Sequence, residues 1–196
     1  DPAEFGLPDA EVNVVFVGRY TWEKGVYYLL SAWKRVVATT NVTVHLTMVG
    51  ADNPEPVREY TRHAEVEDVT IRGPVAYDHV PLVFDAADIA VLPSLPARFW
   101  QEQYGRVVLE AQATGTPVIA SEIGGVPEAM GGIGELHQPG DPYDMVRALH
   151  RLIDDAERRI SLGEQSRDRV LAERTLNHTR KQVEQVYERV LEGESS

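Results

Sequence analysis

Two glutamates with seven residues between them, Glu102 and Glu110, lie where an apolar strand is predicted to turn into a helix. Glu102 comes just before Gly105, at which the helix is expected to begin, and Glu110 lies one turn inside it. A carboxylate at such a turn can accept hydrogen bonds from sugar or ribose hydroxyls, and ligands of open α/β sheets bind at the carboxyl ends of the strands. The spacing therefore predicts a site for a ligand that contains a sugar.

Other interpretations of the two glutamates are open at this point. Glu110 could form an i,i+4 pair with Arg106 on an exposed helix face, a contact worth only about 0.3–0.5 kcal/mol. Glu102 could be an ordinary loop acid, or the two could serve as the acid and base of a glycosidase. The small and apolar neighbours of Glu110 favour a partly buried carboxylate, which needs a hydrogen-bonding partner.

Two cations near the start of the chain form a second candidate. Arg19 ends a predicted strand, and Lys24 stands at or just before a helix N-terminus. Free N–H groups and the helix dipole favour an anion there, and both side chains can contact phosphate oxygens. The alternative is two solvated surface cations, one of them paired with Glu23. The segment contains neither a Walker loop nor a dinucleotide fingerprint, and a glycosidase would not explain these cations.

A third candidate is the double glycine Gly124–Gly125, which follows a predicted strand. Adjacent glycines let backbone amides approach a ligand closely, and a plain turn is the alternative. The six histidines show no pairing at metal-ligand spacing, and no Asp-x-Asp pair offers itself to a divalent ion. We therefore expect neither a metal nor a cofactor.

Alternating strands and helices must position these residues. Short apolar runs of strand length recur at 12–18, 42–50, 68–73, 88–93 and 117–121. Helical patterns fall between them at 24–37, 54–65, 77–86 and 106–114, and a further helix is expected from Pro142, followed by two more. This alternation predicts an α/β fold with a doubly wound parallel sheet, Rossmann-like and built as a single domain with C-terminal helices.

Composition limits the possible functions. The chain has 196 residues and a net charge of −12, which argues against general affinity for nucleic acid or anionic lipid. It has no cysteine, so a thiolate nucleophile and a disulfide framework are excluded. No apolar run approaches the roughly 18 residues of a membrane-spanning helix. These features are compatible with a cytoplasmic protein, and they leave the oligomeric state open.

Taken in order, the motifs resemble the C-terminal half of a retaining glycosyltransferase of the GT-B fold, in the glycosyl transferases group 1 family. The resemblance is carried by VGRYTWEKG, LTMVG, IRGPV, ADIAVLPSLPARFWQEQYGRVVLEAQATGTPVIAS and GGVPEAMGGIGELHQPGD. It implies a linker at 1–11, a nucleotide-sugar-binding domain at 12–156, C-terminal helices at 157–193 and a frayed tail at 194–196.

The resemblance also implies a role for each motif residue. Arg19 and Lys24 would hold the donor diphosphate and stabilise the leaving group, and Glu110 would bind the ribose. Donor-sugar contacts would come from Glu102, Gln103, Tyr104 and Gly105, and base and backbone contacts from Gly73, Pro74, Val75, Gly124 and Gly125. Transfer would be independent of metal, with a same-face attack assisted by the donor phosphate.

Two departures from the family pattern qualify this expectation. Family members often carry the sequence Glu-Pro-Phe-Gly where this chain has Glu-Gln-Tyr-Gly at 102–105. The segment before it, PARFWQ at 96–101, is also longer than in the family pattern, and both differences bear on which donor sugar is preferred. The family's N-terminal domain, which supplies the acceptor site, does not precede this segment, so the chain is expected to bind a nucleotide sugar without catalysing transfer alone. The alternatives are a stand-alone module that binds a nucleotide or a partner protein, and half of a sugar-nucleotide epimerase.

Overall fold

The computed structural model of the chain describes residues 7–98 and 101–191. It contains a single sheet of six strands, all of whose pairings are parallel. The strands are β1 (Val12–Val17), β2 (Val44–Val49), β3 (Val69–Arg72), β4 (Ile89–Leu92), β5 (Val118–Ser121) and β6 (Glu135–His137). The predicted tail at 194–196 and the first six residues of the predicted linker lie outside the described residues.

Within the described residues, eight α-helices connect and extend the strands. They are α1 (Val26–Thr39), α2 (Glu55–His63), α3 (Val80–Asp85), α4 (Arg106–Thr114), α5 (Val126–Met130), α6 (Pro142–Ile153), α7 (Ala156–Glu173) and α8 (Leu176–Leu191). Two single turns of 3-10 helix, Trp22–Lys24 and Tyr77–His79, precede α1 and α3. No helix within the described ranges is both long and apolar enough to cross a membrane.

The strand order is β3-β2-β1-β4-β5-β6, the order of the doubly wound nucleotide-binding fold. The chain runs outward from β1 to β3, then crosses back to place β4 on the other side of β1. The loops after β1 and β4 therefore diverge to opposite faces of the sheet and leave a crevice between them. This confirms the predicted fold class.

Two apolar layers cover the two faces of the sheet. One packs α1, α2 and α6 against alternate residues of β1, β2 and β4 and contains the fully buried Trp33 and Phe16. The other packs α3, α4 and α5 against the intervening residues, including Val15 and Leu92. Because both faces are covered, the strands consist of nearly continuous apolar residues, as is typical of parallel sheets.

The sequence analysis does not predict β6 or the short helix α5. β6 is only three residues long, follows a run of glycines and carries the charged Glu135. Its carboxylate is buried because Arg151 and Arg158 donate to it, at 2.7 Å from Arg151 Nε and 2.9 Å from Arg158 Nε. The groups that compensate the buried charge of Glu135 thus come from α6 and α7, which follow the strand in the sequence.

The C-terminal helices behave differently from each other. α7 begins at Ala156 and packs against α4. Its Arg169 side chain is mostly buried, and Nη1 donates hydrogen bonds to Gln112 Oε1 at 3.1 Å and to the carbonyl oxygen of Ala129 at 3.0 Å. On α8, by contrast, five large apolar side chains are exposed to solvent: Val183, Val186, Tyr187, Val190 and Leu191.

Candidate functional site

A cavity of about 590 Å³ opens at the carboxyl ends of β1, β2 and β4, where the strand order reverses. Its walls come from the loops after β1, β2, β3 and β4, from the start of α3 and from the first turns of α4. Of the sequence-predicted site residues, the cavity is lined by Arg19, Lys24, Pro74, Val75, Glu102, Gln103, Tyr104, Gly105 and Glu110. The fold therefore brings together residues that lie up to 91 positions apart in the chain, from Arg19 to Glu110.

Lys24 and Glu102 form a salt bridge across the mouth of this cavity. Lys24 Nζ lies 2.5 Å from Glu102 Oε2, and the two side chains retain only 16% and 14% of their exposure. The hydroxyl of the fully buried Ser94 donates to the same carboxylate oxygen at 3.1 Å. The loop after β4 is held beside Lys24 by a backbone hydrogen bond of 2.8 Å from Leu95 N to Glu23 O. The site thus holds a partly desolvated ammonium next to a partly desolvated carboxylate.

Arg19 remains largely exposed, with 52% of its side chain accessible. Its guanidinium lies 3.3 Å from Glu23 Oε1, which is the surface pair expected as the alternative for this segment. The backbone amide of Glu23 is the main cause that lowers the pKa of that carboxyl, and Thr21, Arg19 and Lys24 add to it. Because exposed pairs of this kind are weak, Arg19 can exchange Glu23 for an anionic ligand at little cost.

A second cavity, of about 680 Å³, adjoins the first and shares Arg19, Lys24, Glu102 and Gln103 with it. Its other walls are Pro96, Ala97, Arg98 and Gln101, all from the lead-in segment that departs from the family pattern. Among the lining residues, three cations face one carboxylate, in a chain whose net charge is −12. The Lys24–Glu102 pair therefore lies on the boundary between two connected cavities. Two further residues of the lead-in, Phe99 and Trp100, are outside the described residues.

Glu110 is partly buried on α4 and lines the opposite end of the first cavity. Its Oε1 accepts a hydrogen bond of 3.2 Å from the hydroxyl of Tyr77, 33 residues earlier. The salt bridges found among the described residues include no pair between Glu110 and Arg106, so the i,i+4 interpretation is not supported in this structure. The surrounding walls are apolar: Pro74, Val75, Val80 and Val107.

The two glycines after β5 support the glutamate loop. The amide of Gly125 donates to the carbonyl of Glu102 at 3.1 Å. Gly124 has a φ of +55°, and a Cβ there would overlap the Glu102 carbonyl oxygen, whereas a Cβ on Gly125 would overlap that of Gln103. Gly73, Gly124 and Gly125 are not among the described residues that line the first cavity. The Gly125 amide is thus already used within the protein.

The first cavity also contains residues that the sequence analysis did not single out. Gly18 and the Gly50–Ala51 loop line it at the ends of β1 and β2. Tyr20 packs against that loop, and its hydroxyl oxygen lies 2.8 Å from the carbonyl oxygen of Met48 and 2.6 Å from that of Arg72, so the two carbonyls share one hydroxyl donor. Burial raises the pKa of the Tyr20 hydroxyl. The sequence contained one signal for these residues: a glycine ends each of the first two predicted strands, and glycine lets a ligand approach the backbone.

Neither cavity is built like a metal centre. No group of three or more histidine, aspartate or glutamate side chains in the described part of the chain is arranged to hold a metal ion. The caps of α1 and α4 are both glycine, Gly25 and Gly105, so no cap side chain occupies the first amides of either helix. The chemistry that this arrangement offers is binding of an anion by cations and amides, next to carboxylates that accept hydroxyl groups.

Comparison with known proteins places this arrangement in a family. Residues 11–155 match the family described as glycosyl transferases group 1. A D-inositol 3-phosphate glycosyltransferase from Corynebacterium efficiens is 36% identical over 171 residues, which are 82% of this chain and 39% of the relative. The chain spans about two fifths of the length of the curated relatives that it matches first.

Solved structures agree with the sequence comparison. Sucrose-phosphate synthase from Thermosynechococcus elongatus superposes with a TM-score of 0.79 at 28% identity, over 97% of this chain and 48% of that one. The Anabaena protein HepE, in complex with UDP and glucose, has the same fold, with a TM-score of 0.77 at 21% identity over 90% of this chain and 48% of its own. With the family match covering most of its length, the chain belongs to the group 1 glycosyltransferases.

Proposed function

We propose that the chain is the donor-binding half of a retaining glycosyltransferase and that the cavity at the strand reversal binds a nucleotide sugar. The observation that carries this proposal is the convergence of Lys24, Glu102 and Glu110 on one crevice of a doubly wound sheet. The match to half-length segments of named glycosyltransferases supports the same assignment. The acceptor and the second wall of the cleft would come from a domain outside this chain.

Arg19 and Lys24 bind the diphosphate in this proposal. Arg19 presents an exposed guanidinium, and Lys24 holds an ammonium between the two cavities. When the bond between the anomeric carbon and the phosphate oxygen breaks, negative charge develops on the leaving diphosphate. Cations already fixed near that oxygen stabilise the charge without reorganising at the moment of reaction.

The nucleoside occupies the apolar end of the first cavity. Glu110 accepts hydrogen bonds from the ribose hydroxyls, and Pro74 and Val75 lie against the base. Uridine diphosphate is the first probe because HepE, of the same fold, was crystallised with UDP and glucose. The lining residues at this end offer the base mainly apolar contact.

The donor sugar lies on the other side of the phosphates. Glu102 accepts its hydroxyls at the boundary with the second cavity, assisted by Gln103, Tyr104 and Gly105. Gly124 and Gly125 act indirectly in this proposal, because they fix the backbone of Glu102 and Gln103. Their role as direct ligand contacts, implied by the resemblance, is therefore replaced by support of the loop.

Calorimetric titration of the folded chain with uridine, guanosine and adenosine diphosphates and their glucose derivatives tests the proposal. Half a cleft should bind the matching nucleotide weakly, in the millimolar to high micromolar range, at about −4 to −6 kcal/mol. Lys24→Ala should weaken binding of every diphosphate by about tenfold or more, because a charge-assisted contact is lost. Glu110→Gln should have a similar effect through the ribose.

Glu102→Gln separates the two glutamates. It should leave binding of the bare diphosphate unchanged or slightly stronger, because Lys24 loses its carboxylate partner, and it should weaken only the sugar-bearing ligand. Equal loss of bare-diphosphate binding in Glu102→Gln and Glu110→Gln would contradict the division of roles. Failure of every diphosphate and every sugar derivative to bind the folded chain at millimolar concentration would contradict the function itself.

A further inference from the structure

Tyr77 contacts the candidate ribose-binding glutamate. Tyr77 begins the 3-10 turn after β3, and its hydroxyl lies 3.2 Å from Glu110 Oε1 on α4. The side chain is nevertheless 71% exposed, so its ring is not part of the apolar core. The structure therefore contains an aromatic ring that lines the cavity and is tied at its tip to a carboxylate.

The surroundings of Tyr77 fit a nucleoside better than bulk solvent. The neighbouring walls at this end, Pro74, Val75, Val80 and Val107, are apolar. A planar base placed among them would cover part of the exposed ring and could stack on it or pack against its edge. The end of the cavity that holds Tyr77 thus has both an apolar wall and a hydrogen-bonding group.

The direction of the hydrogen bond decides what the phenol does to Glu110. An ionised carboxylate only accepts, and it has about four lone-pair sites, so one phenol donor leaves room for ribose hydroxyls. The phenol donates to Oε1. By restricting the rotation of a partly buried carboxylate, this contact orients the remaining lone pairs before the ribose arrives, which lowers the entropy cost of binding.

We propose that Tyr77 is a positioning residue for Glu110 and the aromatic wall of the nucleoside subsite, and that it makes the site selective for ribonucleotides over 2′-deoxyribonucleotides. This inference rests on the proposed function of the cavity. It assigns two separable contributions to one residue: the hydroxyl orients the carboxylate that reads the ribose, and the ring packs on the nucleoside.

Competitive binding of ribo- and 2′-deoxyribonucleoside diphosphates tests the inference. Uridine, guanosine and adenosine diphosphates and their 2′-deoxy counterparts are titrated into the wild type, Tyr77→Phe and Tyr77→Leu. The wild type should prefer the ribose form of the best ligand by about tenfold, the value of one charge-assisted hydrogen bond. Tyr77→Phe should reduce this preference to about twofold or less and leave 2′-deoxy binding nearly unchanged.

Two further variants define the outcome. Tyr77→Leu should weaken both forms, because the ring is lost as well. Tyr187→Phe, at a similarly exposed tyrosine on α8, should bind like the wild type. The inference would be overturned if Tyr77→Phe kept the wild-type preference for ribose, or if it bound ribonucleotides more tightly than the wild type. Either result would leave the proposed function intact. Failure of the wild type to bind any diphosphate would overturn both.

Discussion

Lys24 and Glu102 form a salt bridge, so a phosphate that binds at Lys24, as we propose, must compete with a carboxylate for the same ammonium. Both side chains are more than four-fifths buried, so removing either one takes a charge-assisted contact from a partly desolvated group. In the proposed site, this pair would keep each group oriented until phosphate and sugar hydroxyls replace the contact. Ser94 also donates to the Glu102 carboxylate, and we expect this hydrogen bond to hold the carboxylate in place when a phosphate displaces it from Lys24.

The individual residues of the site were predictable to different extents. Arg19, Lys24, Glu102 and Glu110 could be selected because they lie at strand-to-helix turns, where ligands of open α/β sheets bind. Tyr77 could not be selected, because an exposed tyrosine in a loop carries no local signal and its partner lies 33 residues away. Ser94 was missed for the same reason: its contact with Glu102 depends on how the loop after β4 folds back.

Also at the residue scale, His137 should make stability depend on pH. Its ring is 1% exposed, lies 3.3 Å from Ser121 Oγ, and packs on Tyr28. Burial lowers the pKa of His137, against smaller opposing contributions from the Gln138 carbonyl, Asp144 and Asp141. Because the unfolded chain takes up this proton at higher pH than the folded one, stability is full above about pH 6.5 and falls as pH decreases.

Urea unfolding at pH 7.5 and 5.5 measures this dependence. The free energy of unfolding should fall between the two pH values, and the fall should be smaller in His137→Gln. His45, whose pKa is also lowered, mainly by burial, contributes in the same direction. His63→Gln, at an exposed histidine on α2, is the matched control and should retain the wild-type fall. An identical fall in His137→Gln and the wild type would contradict the assignment.

At the scale of elements, the glutamate loop depends on the turn between β5 and α5. Gly125→Ala would place a Cβ against the Gln103 carbonyl and disturb the hydrogen bond from the Gly125 amide to Glu102. We expect a loss of about 1–3 kcal/mol in unfolding free energy and at least about tenfold weaker binding of a sugar-bearing donor. Thermal or urea unfolding and calorimetry measure the two effects.

Gly73→Ala is the matched control for that substitution, because a Cβ at Gly73 meets nothing within 4 Å. It should change unfolding free energy by less than about 0.5 kcal/mol. If Gly125→Ala binds the donor as well as the wild type does, then the double glycine does not support the site. The sequence indicated only that two glycines follow a strand; that they pack under the glutamate loop depends on the tertiary fold.

Elements with a strong periodic pattern were predictable, and the others were not. The first five strands and the helix Arg106–Thr114 follow from apolar runs and from glycine at the helix boundaries. β6 was missed because Glu135 and His137 are polar by type and become buried only through Arg151, Arg158 and Ser121. A short edge strand with a buried charge is stabilised by residues from other elements, so the polarity pattern of its own sequence does not predict it.

At the scale of the whole molecule, an acidic chain places three cations at one crevice. The net charge of −12 disfavours unspecific binding of polyanions, while Arg19, Lys24 and Arg98 line the connected cavities. The strand order 3-2-1-4-5-6 places that crevice where the loops after β1 and β4 separate. The doubly wound parallel sheet could be predicted from the alternation of strands and helices, whereas the strand order comes from the structure and the second cavity depends on the unusual lead-in to Glu102.

The central claim is that a nucleoside diphosphate binds at this crevice, and the most direct test is NMR of the ¹⁵N-labelled chain during titration with uridine, guanosine and adenosine diphosphates. Amide shifts should change for the best ligand in three segments that line the first cavity: 18–24, 75–80 and 103–110. Amides of α8 should not move. Shifts confined to other surfaces, or none at millimolar nucleotide, would contradict the account.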